Sequence, residues 1–468
     1  MDTADKNLNV QARASVFYIF SNLLSKGFVF IFTPIFARIL SAEALGIYSL
    51  YVSWLGIFTV ISTLEMHGNI TYRALLTFDS DESFLSTAFI SVGSISSVLL
   101  SIYILFRDSF NAITGLTTPL TVIMLLQIFL NASEGFIFAK KRFSYNYKWV
   151  SALNIIMGII TPILSIILIY FFGLSYLSRI LSPLFVSVAF ILPHTLHFLG
   201  KRRIFNKKIY RHLFALSIPM LPHFIFLSLM ANGDKIIISQ ILGSEAVGTY
   251  SIAYSVAYIL MPLTQGASSS LFPWLTRHSG KECKSDVRVA FDYILPFSML
   301  LAGAFLLITP ELYLFVGGEK FKDGLASVYP LSLSVIFLFL SNLISSVNAC
   351  HKKRDVVIST LISFLVGASC VLPLVNALGI IGGAIASLLA YITLFSLNLY
   401  FSYKSLGFLM INAGTLIASL LLIGIYAPIS FISRTSLPLR IILLVILIIG
   451  ALYILKGKKK NFRRLKKA

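Results

Sequence analysis

The chain has 468 residues, 57% of them hydrophobic and only 12% charged, with a mean hydropathy of +0.89. A water-soluble globule of that composition has nowhere to put its apolar surface, so its solvent is lipid. The net charge of +20 lies in brief loops between apolar runs rather than along one soluble face, which marks orientation in a membrane and excludes a nucleic-acid footprint.

The N-terminal residues 1–15 are polar and carry two acids. The apolar run behind them is too long for a cleavable signal, so the first segment is expected to be retained. Scanning for stretches of about 20 apolar residues predicts spans at 15–36, 45–64, 84–106, 120–138, 150–172 and 180–198. Six more follow at 214–238, 246–271, 287–308, 326–347, 356–374 and 380–401, and a last pair at 411–429 and 438–455. The expectation is an all-α polytopic membrane protein of about fourteen transmembrane helices.

The loops fix its orientation. Lys140, Lys141, Arg142 and Lys148 follow the fourth span, and Lys201, Arg202, Arg203, Lys207, Lys208 and Arg211 follow the sixth. Arg277, Lys281, Lys284 and Arg288, then Lys352, Lys353 and Arg354, continue the alternation, and the basic tail agrees. Positive-inside bias therefore puts these loops and both termini in the cytoplasm. No loop is long enough for a folded domain of about 50 residues, so whatever the chain does is done within the bilayer.

Residues 38–50 and 240–252 align without a gap: Glu43, Ala44, Gly46, Tyr48 and Ser49 recur as Glu245, Ala246, Gly248, Tyr250 and Ser251. A weaker echo matches Lys140, Lys141 and Arg142 with Lys352, Lys353 and Arg354. Spans one to six thus repeat as seven to twelve in the same orientation, a parallel repeat whose halves face a central cavity. The expected organisation is a six-helix bundle over 1–200, a second over 201–405, and two extra helices with a basic tail over 406–468.

Four local patterns now carry a family resemblance: ARILSAEALGIYSL at 37–50, DKIIISQILG at 234–243 running into VGTYS, FVGGEKF at 315–321, and LGIIGGAIA at 378–386. In these residues, and over about 10–455, the chain resembles the O-antigen-type oligosaccharide and polysaccharide flippases of the multidrug/oligosaccharidyl-lipid/polysaccharide exporter superfamily. The resemblance implies a transporter rather than an enzyme, with no cofactor. Its cargo would be an undecaprenyl-diphosphate-linked repeat unit, carried from the cytoplasmic to the periplasmic leaflet of the bacterial inner membrane by alternating access. It implies an ion gradient as the power source, membrane lipids as surroundings, and a polysaccharide polymerase of the same pathway as candidate partner. Consistent with this, the sequence has no G-x-x-x-x-G-K-[ST] phosphate loop.

Charges inside spans are the candidate site residues, because each costs about 2.5–3.5 kcal/mol to insert and needs a wet cavity or a partner. Lys26 stands midway along the first span and has no acid one turn away; its partner is either the cargo's diphosphate or an acid on another helix. Asp234 and Lys235 follow Pro219 and Pro222 on the seventh span. Adjacent residues diverge by about 100° around a helix, so these two are not expected to pair simply with each other. Asp234 is the candidate for ion coupling, with a static tie between halves as the alternative, and Lys235 joins the candidate substrate contacts.

Arg179 is placed at the outer mouth, in reach of phosphate or sugar, whereas Glu134, Glu65 and Asp292 read as span-end charges facing water or head groups. His194 and His197 have a usable metal spacing but no acid or cysteine to complete a set, and Cys283, Cys350 and Cys370 lie far apart, so no metal site is expected. Gly379 and Gly383 are expected to let another helix approach. Two other functions compete: a drug or small-molecule antiporter of the same superfamily, which normally lacks spans thirteen and fourteen, and a polytopic sugar polymerase or glycosyltransferase, which would need a long loop or a clustered acid and base.

Overall fold

The structure, a computed structural model, describes residues 17, 21, 24–25, 27–28, 30–78, 81, 83–144, 146–200, 205–277, 284–351 and 353–457. Helices fall on every predicted span. In chain order they are α1 (Phe30–Ile39), α2 (Ala42–Thr63), α3 (Thr71–Phe78), α4 (Phe84–Leu105), α5 (Arg107–Thr114), α6 (Thr118–Phe143) and α7 (Tyr147–Phe172). There follow α8 (Ser175–Phe190), α9 (Leu192–Leu199), α10 (Lys207–Ser217), α11 (Leu221–Ala257), α12 (Leu260–Arg277), α13 (Lys284–Gly317) and α14 (Leu325–His351). The chain continues with α15 (Lys353–Leu378), α16 (Ile380–Leu406), α17 (Ala413–Ile432) and α18 (Leu437–Gly457).

Among the described residues, 10 helices are long and apolar enough to cross a membrane, and an eleventh span is the α8–α9 pair bent by 43°. The count differs from fourteen because α1 and Leu437–Leu447 are short as described, and because spans seven and eight are not separated by a loop. They meet at one residue, Gly243, where φ is 82° and ψ 175°. A side chain there would be strained, so glycine is what permits the break. The aligned residue of the first half is Ser41, also extended, which begins α2 by accepting a hydrogen bond from the Ala44 N–H at 3.0 Å. The two aligned segments therefore break their helices at the same register, one by capping and one by glycine.

Contacts divide the chain into two compact units, Met1–Ile236 and Ile237–Ala468. In the first, α2 ends in an unusual way: Leu64 (φ 48°) and Glu65 (φ 54°) are the non-glycine residues of positive φ among those described, and a π-turn, Met66–Ile70, follows. Met66, Leu75, Phe84, Phe89, Phe136, Ile209 and Leu213 bury this break in one core. A second core gathers Tyr51, Leu120, Met124, Ile128 and Ile180, and within it the Tyr51 hydroxyl donates to Gln127 at 2.8 Å. Helix α10 is amphipathic: Ile209 and Leu213 are buried while Lys207, Lys208 and Arg211 face outward. Its cap Asn206 donates its backbone N–H to Thr87 and its side-chain amide to Asp81, which pins the basic helix to this unit.

In the second unit α14, α15 and α16 pack together around buried amides. Asn348 donates to the Asn398 carbonyl at 2.9 Å, and Ser359 donates to the Asn398 side chain at 2.8 Å. Of the expected glycine pair, Gly383 admits a close neighbour, as does the adjacent Gly382, and Gly379 does not. Gly379 caps α16 with φ +63° and touches nothing, whereas a Cβ on Gly382 would lie 1.9 Å from the Leu374 carbonyl and one on Gly383 2.8 Å from Ile238. Helices α17 and α18 pack on α13, where Arg440 makes a two-pronged pair with Glu311 and also donates to the Leu307 carbonyl.

Candidate functional site

A cavity of about 310 Å³ opens within the first unit. Its wall takes Ser25 from the first span, Phe32 and Phe36 from α1, Tyr48 from α2, Asn131 and Glu134 from α6, and Asn154 through Ser165 from α7. Arg179, Ser182, Pro183 and Ser187 of α8 complete it. The pattern behind it is helical. Asn154, Gly158, Thr161 and Ser165 recur at intervals of three or four and so share one stripe of α7. Gly158 lets the first span come close, since a Cβ there would lie 2.6 Å from the Ser25 hydroxyl and 3.3 Å from its Cα.

Arg179 is the best-defined group in this wall. Its guanidinium carbon lies 4.4 Å from the Phe36 ring centre and 4.1 Å from that of Tyr48. Both rings lie within cation–π range, and that attraction replaces part of the hydration the guanidinium gives up. Among the described residues, no carboxylate lies within ion-pair distance of it. Its in-plane N–H groups therefore stay available to an oxyanion entering the cavity.

Glu134 corrects the sequence reading. The predicted span stopped at 138, which set Glu134 near an end, but α6 runs to Phe143 and Glu134 sits on the cavity wall in its interior. Asn131, one turn earlier, lines the same wall and was not singled out. The signal was present in the sequence as Asn131 and Glu134 at i and i+3 within a mainly apolar stretch. The adjacent Gly135 is where the α2 break docks, for a Cβ there would meet the His67 ring carbon and Cβ at 3.0 Å and the His67 carbonyl at 3.2 Å. Burial holds the His67 imidazole below the usual histidine range, against an opposing pull from Glu65, and its Nδ1 has no hydrogen-bond partner.

The other candidates fall elsewhere. Lys26 lies outside the described residues. Asp234 and Lys235 are buried on α11, and the expectation that neighbours on a helix do not pair is wrong here: the Lys235 ammonium lies 3.8 Å from an Asp234 oxygen that also accepts the Lys235 N–H at 2.7 Å. A long lysine stem folds back along the helix, its ammonium also donating to the Ala231 carbonyl at 3.3 Å. Neither residue lines the cavity. Asp292 accepts from the Asn412 N–H at 3.3 Å. His194 packs on Trp149 and His197 on Phe198, as structural histidines do.

A cavity walled by helices, polar on one stripe and carrying a preset cation, serves passage or binding rather than bond cleavage. Comparison with known proteins agrees. The model of the polysaccharide biosynthesis protein family matches residues 12–279, and the MatE model matches 219–372. The probable low-salt glycan biosynthesis flippase Agl15 of Haloferax volcanii is 24% identical over 436 residues, covering 88% of this chain and 91% of that protein. Among solved structures, the lipid II flippase MurJ in an inward closed conformation superposes with a TM-score of 0.71 at 14% identity, over 96% of this chain and all of that one. The Vibrio cholerae MATE transporter VcmN in its bent form gives 0.53 at 14% identity, over 90% and 100%. These structural likenesses establish the fold. The chain belongs to the polysaccharide biosynthesis protein family, as a multi-pass membrane transporter of the multidrug/oligosaccharidyl-lipid/polysaccharide exporter superfamily and not an enzyme.

Proposed function

We propose that this protein flips an undecaprenyl-diphosphate-linked oligosaccharide, an O-antigen or related surface-polysaccharide unit, from the cytoplasmic to the periplasmic leaflet of a bacterial inner membrane. The observation that carries this reading is Arg179, held near the Phe36 and Tyr48 rings on the wall of a cavity with a polar stripe, with no acid paired to it among the described residues. A guanidinium left free at its edge suits bidentate contact with a phosphate. The glycan flippase named among the relatives supports the cargo class. The strict alternation of basic loops supports cytoplasmic termini.

Transport proceeds by alternating access and draws on an ion gradient, with Asp234 as the coupling acid. Asp234 is a buried carboxylate on a membrane helix, a position where a charge is costly and functional by default. Lys26 adds a second cation to the cargo path, and Lys235, buried outside the cavity described, is a further candidate contact in another state of the transport cycle. Glu134 in the cavity favours one rival, a cationic small-molecule cargo. Deleting the gene separates the two. The reading expects lipid-linked repeat units to accumulate on the cytoplasmic side and surface polysaccharide to be lost; unchanged polysaccharide with new sensitivity to cationic drugs would replace it.

A further inference from the structure

Glu134 and Arg179 line one cavity, and among the described residues no ion pair or hydrogen bond joins either to a partner, although Arg142, two turns along α6, acts on Glu134 electrostatically. Asn131, one helical turn from Glu134, is likewise without a side-chain hydrogen bond. The cavity is partly open, and half-buried polar side chains on its wall that the protein leaves without hydrogen bonds can be satisfied by an occupant. A wall that keeps an acid and a base apart is therefore built for an occupant that satisfies both at once. It must present an anion to Arg179 and hydrogen-bond donors to Glu134.

From this geometry, and resting on the cargo reading above, we infer that Asn131 and Glu134 form a sugar-reading subsite for the residue directly attached to the diphosphate. A carboxylate has two acceptor oxygens and takes hydrogen bonds from two adjacent hydroxyls, while a carboxamide both donates and accepts. Set one turn apart on α6, the two side chains offer acceptors and a donor along a single edge, which matches the alternating donors and acceptors of a pyranose rim. Arg179, on α8, grips the phosphate whichever sugar follows it. The division of labour is that Arg179 supplies affinity for the anion, and Asn131 with Glu134 supplies discrimination among saccharides. The ligand class is a diphosphate-linked hexose or N-acylated hexosamine with free hydroxyls on adjacent carbons.

The test uses the full-length protein in nanodiscs of phosphatidylethanolamine and phosphatidylglycerol. Two probes are titrated, a short-chain polyprenyl diphosphate and the same molecule bearing one N-acetylhexosamine. A site built to hydrogen-bond hydroxyls is expected to favour the glycosylated probe by about tenfold or more in the wild type. Asn131→Ala and Glu134→Ala are each expected to cut that ratio by about fivefold or more while leaving affinity for the bare diphosphate within about twofold, and Glu134→Gln to fall between. Arg179→Ala weakens both probes together. A wild-type ratio near unity, or a ratio untouched in the Asn131 and Glu134 variants, overturns the subsite and leaves the cargo reading standing. A Glu134→Gln protein that keeps the ratio but loses a pH or sodium dependence of binding also overturns it, because Glu134 would then be a coupling acid. Wild-type protein that binds neither probe overturns the cargo reading and the subsite with it.

Discussion

Two arginines, one in each unit, show what separates a structural charge from a working one. Arg440 on α18 is 5% exposed, and its two terminal nitrogens are taken up by Glu311 and the Leu307 carbonyl, tying a C-terminal helix to α13. Arg179 on α8 is half-buried and lies near two aromatic rings, and among the described residues it has no acid at ion-pair distance. A paired charge in an apolar setting fixes one arrangement of helices, whereas an unpaired one held at a cavity wall is an arrangement waiting for a ligand. Asp234 and Lys235, adjacent on α11, are both buried, with the ammonium 3.8 Å from the carboxylate.

The comparison makes a graded set of predictions. The largest effect is expected at Arg179: Arg179→Ala should lower transport per molecule by about a hundredfold, as loss of a charge-assisted bidentate contact does, with membrane abundance unchanged. Arg179→Lys should recover only part of it, since an ammonium lacks the planar fork that meets a phosphate bidentately. Immunoblots and surface-polysaccharide assays on the same cells check both. An equal fall in protein and polysaccharide would put Arg179 with Arg440.

Next comes Asp234→Asn, expected to reduce transport about tenfold while abundance falls less than twofold, because the amide keeps the shape and loses the exchangeable charge. Matching losses would make the pair a tie like Glu311 with Arg440. The converse holds for Glu311→Ala, which strands a buried guanidinium and should lower stability by about 2 kcal/mol, less than the roughly 3–5 kcal/mol of a fully buried pair because the Glu311 side chain is 53% exposed. Thermal unfolding in detergent measures this, and transport per surviving molecule should stay near wild type.

The smallest effect belongs to His67, whose buried ring is held neutral in the folded protein. A base with a depressed folded pKa contributes stability that is complete above the ordinary value of 6.5 and is lost as pH falls through the lower folded value. The melting temperature should therefore drop on acidification from pH 7, and His67→Asn should flatten that slope by about 1 kcal/mol or less. A slope that steepens in the variant would mean the ring is charged in place.

Much of this architecture was legible in the sequence because lipid imposes a simple rule of about 20 apolar residues per crossing. The helix break at Ser41 was visible through its repeat at Gly243, as two aligned stretches with the same punctuation. What sequence did not disclose is spatial. Glu311 and Arg440 are 129 residues apart, and nothing local says that they meet. Glu134 was misjudged because the basic cluster at Lys140–Arg142 suggested an end to the span, while helix α6 carries that cluster as its last turn. The left-handed residues Leu64 and Glu65 carry no glycine to announce them, since tertiary packing of Met66 and Leu75 holds the break.

Direct observation of flipping tests the central claim. Purified protein is reconstituted in proteoliposomes with a fluorescent short-chain polyprenyl-diphosphate saccharide, and the fraction that a membrane-impermeant quencher reaches is followed with time. The account predicts exchange between leaflets with wild-type protein, faster under an imposed ion gradient, and exchange no faster than in protein-free vesicles with Arg179→Ala. Wild-type vesicles that exchange the probe no faster than empty ones, or an Arg179→Ala protein as active as wild type, would contradict it.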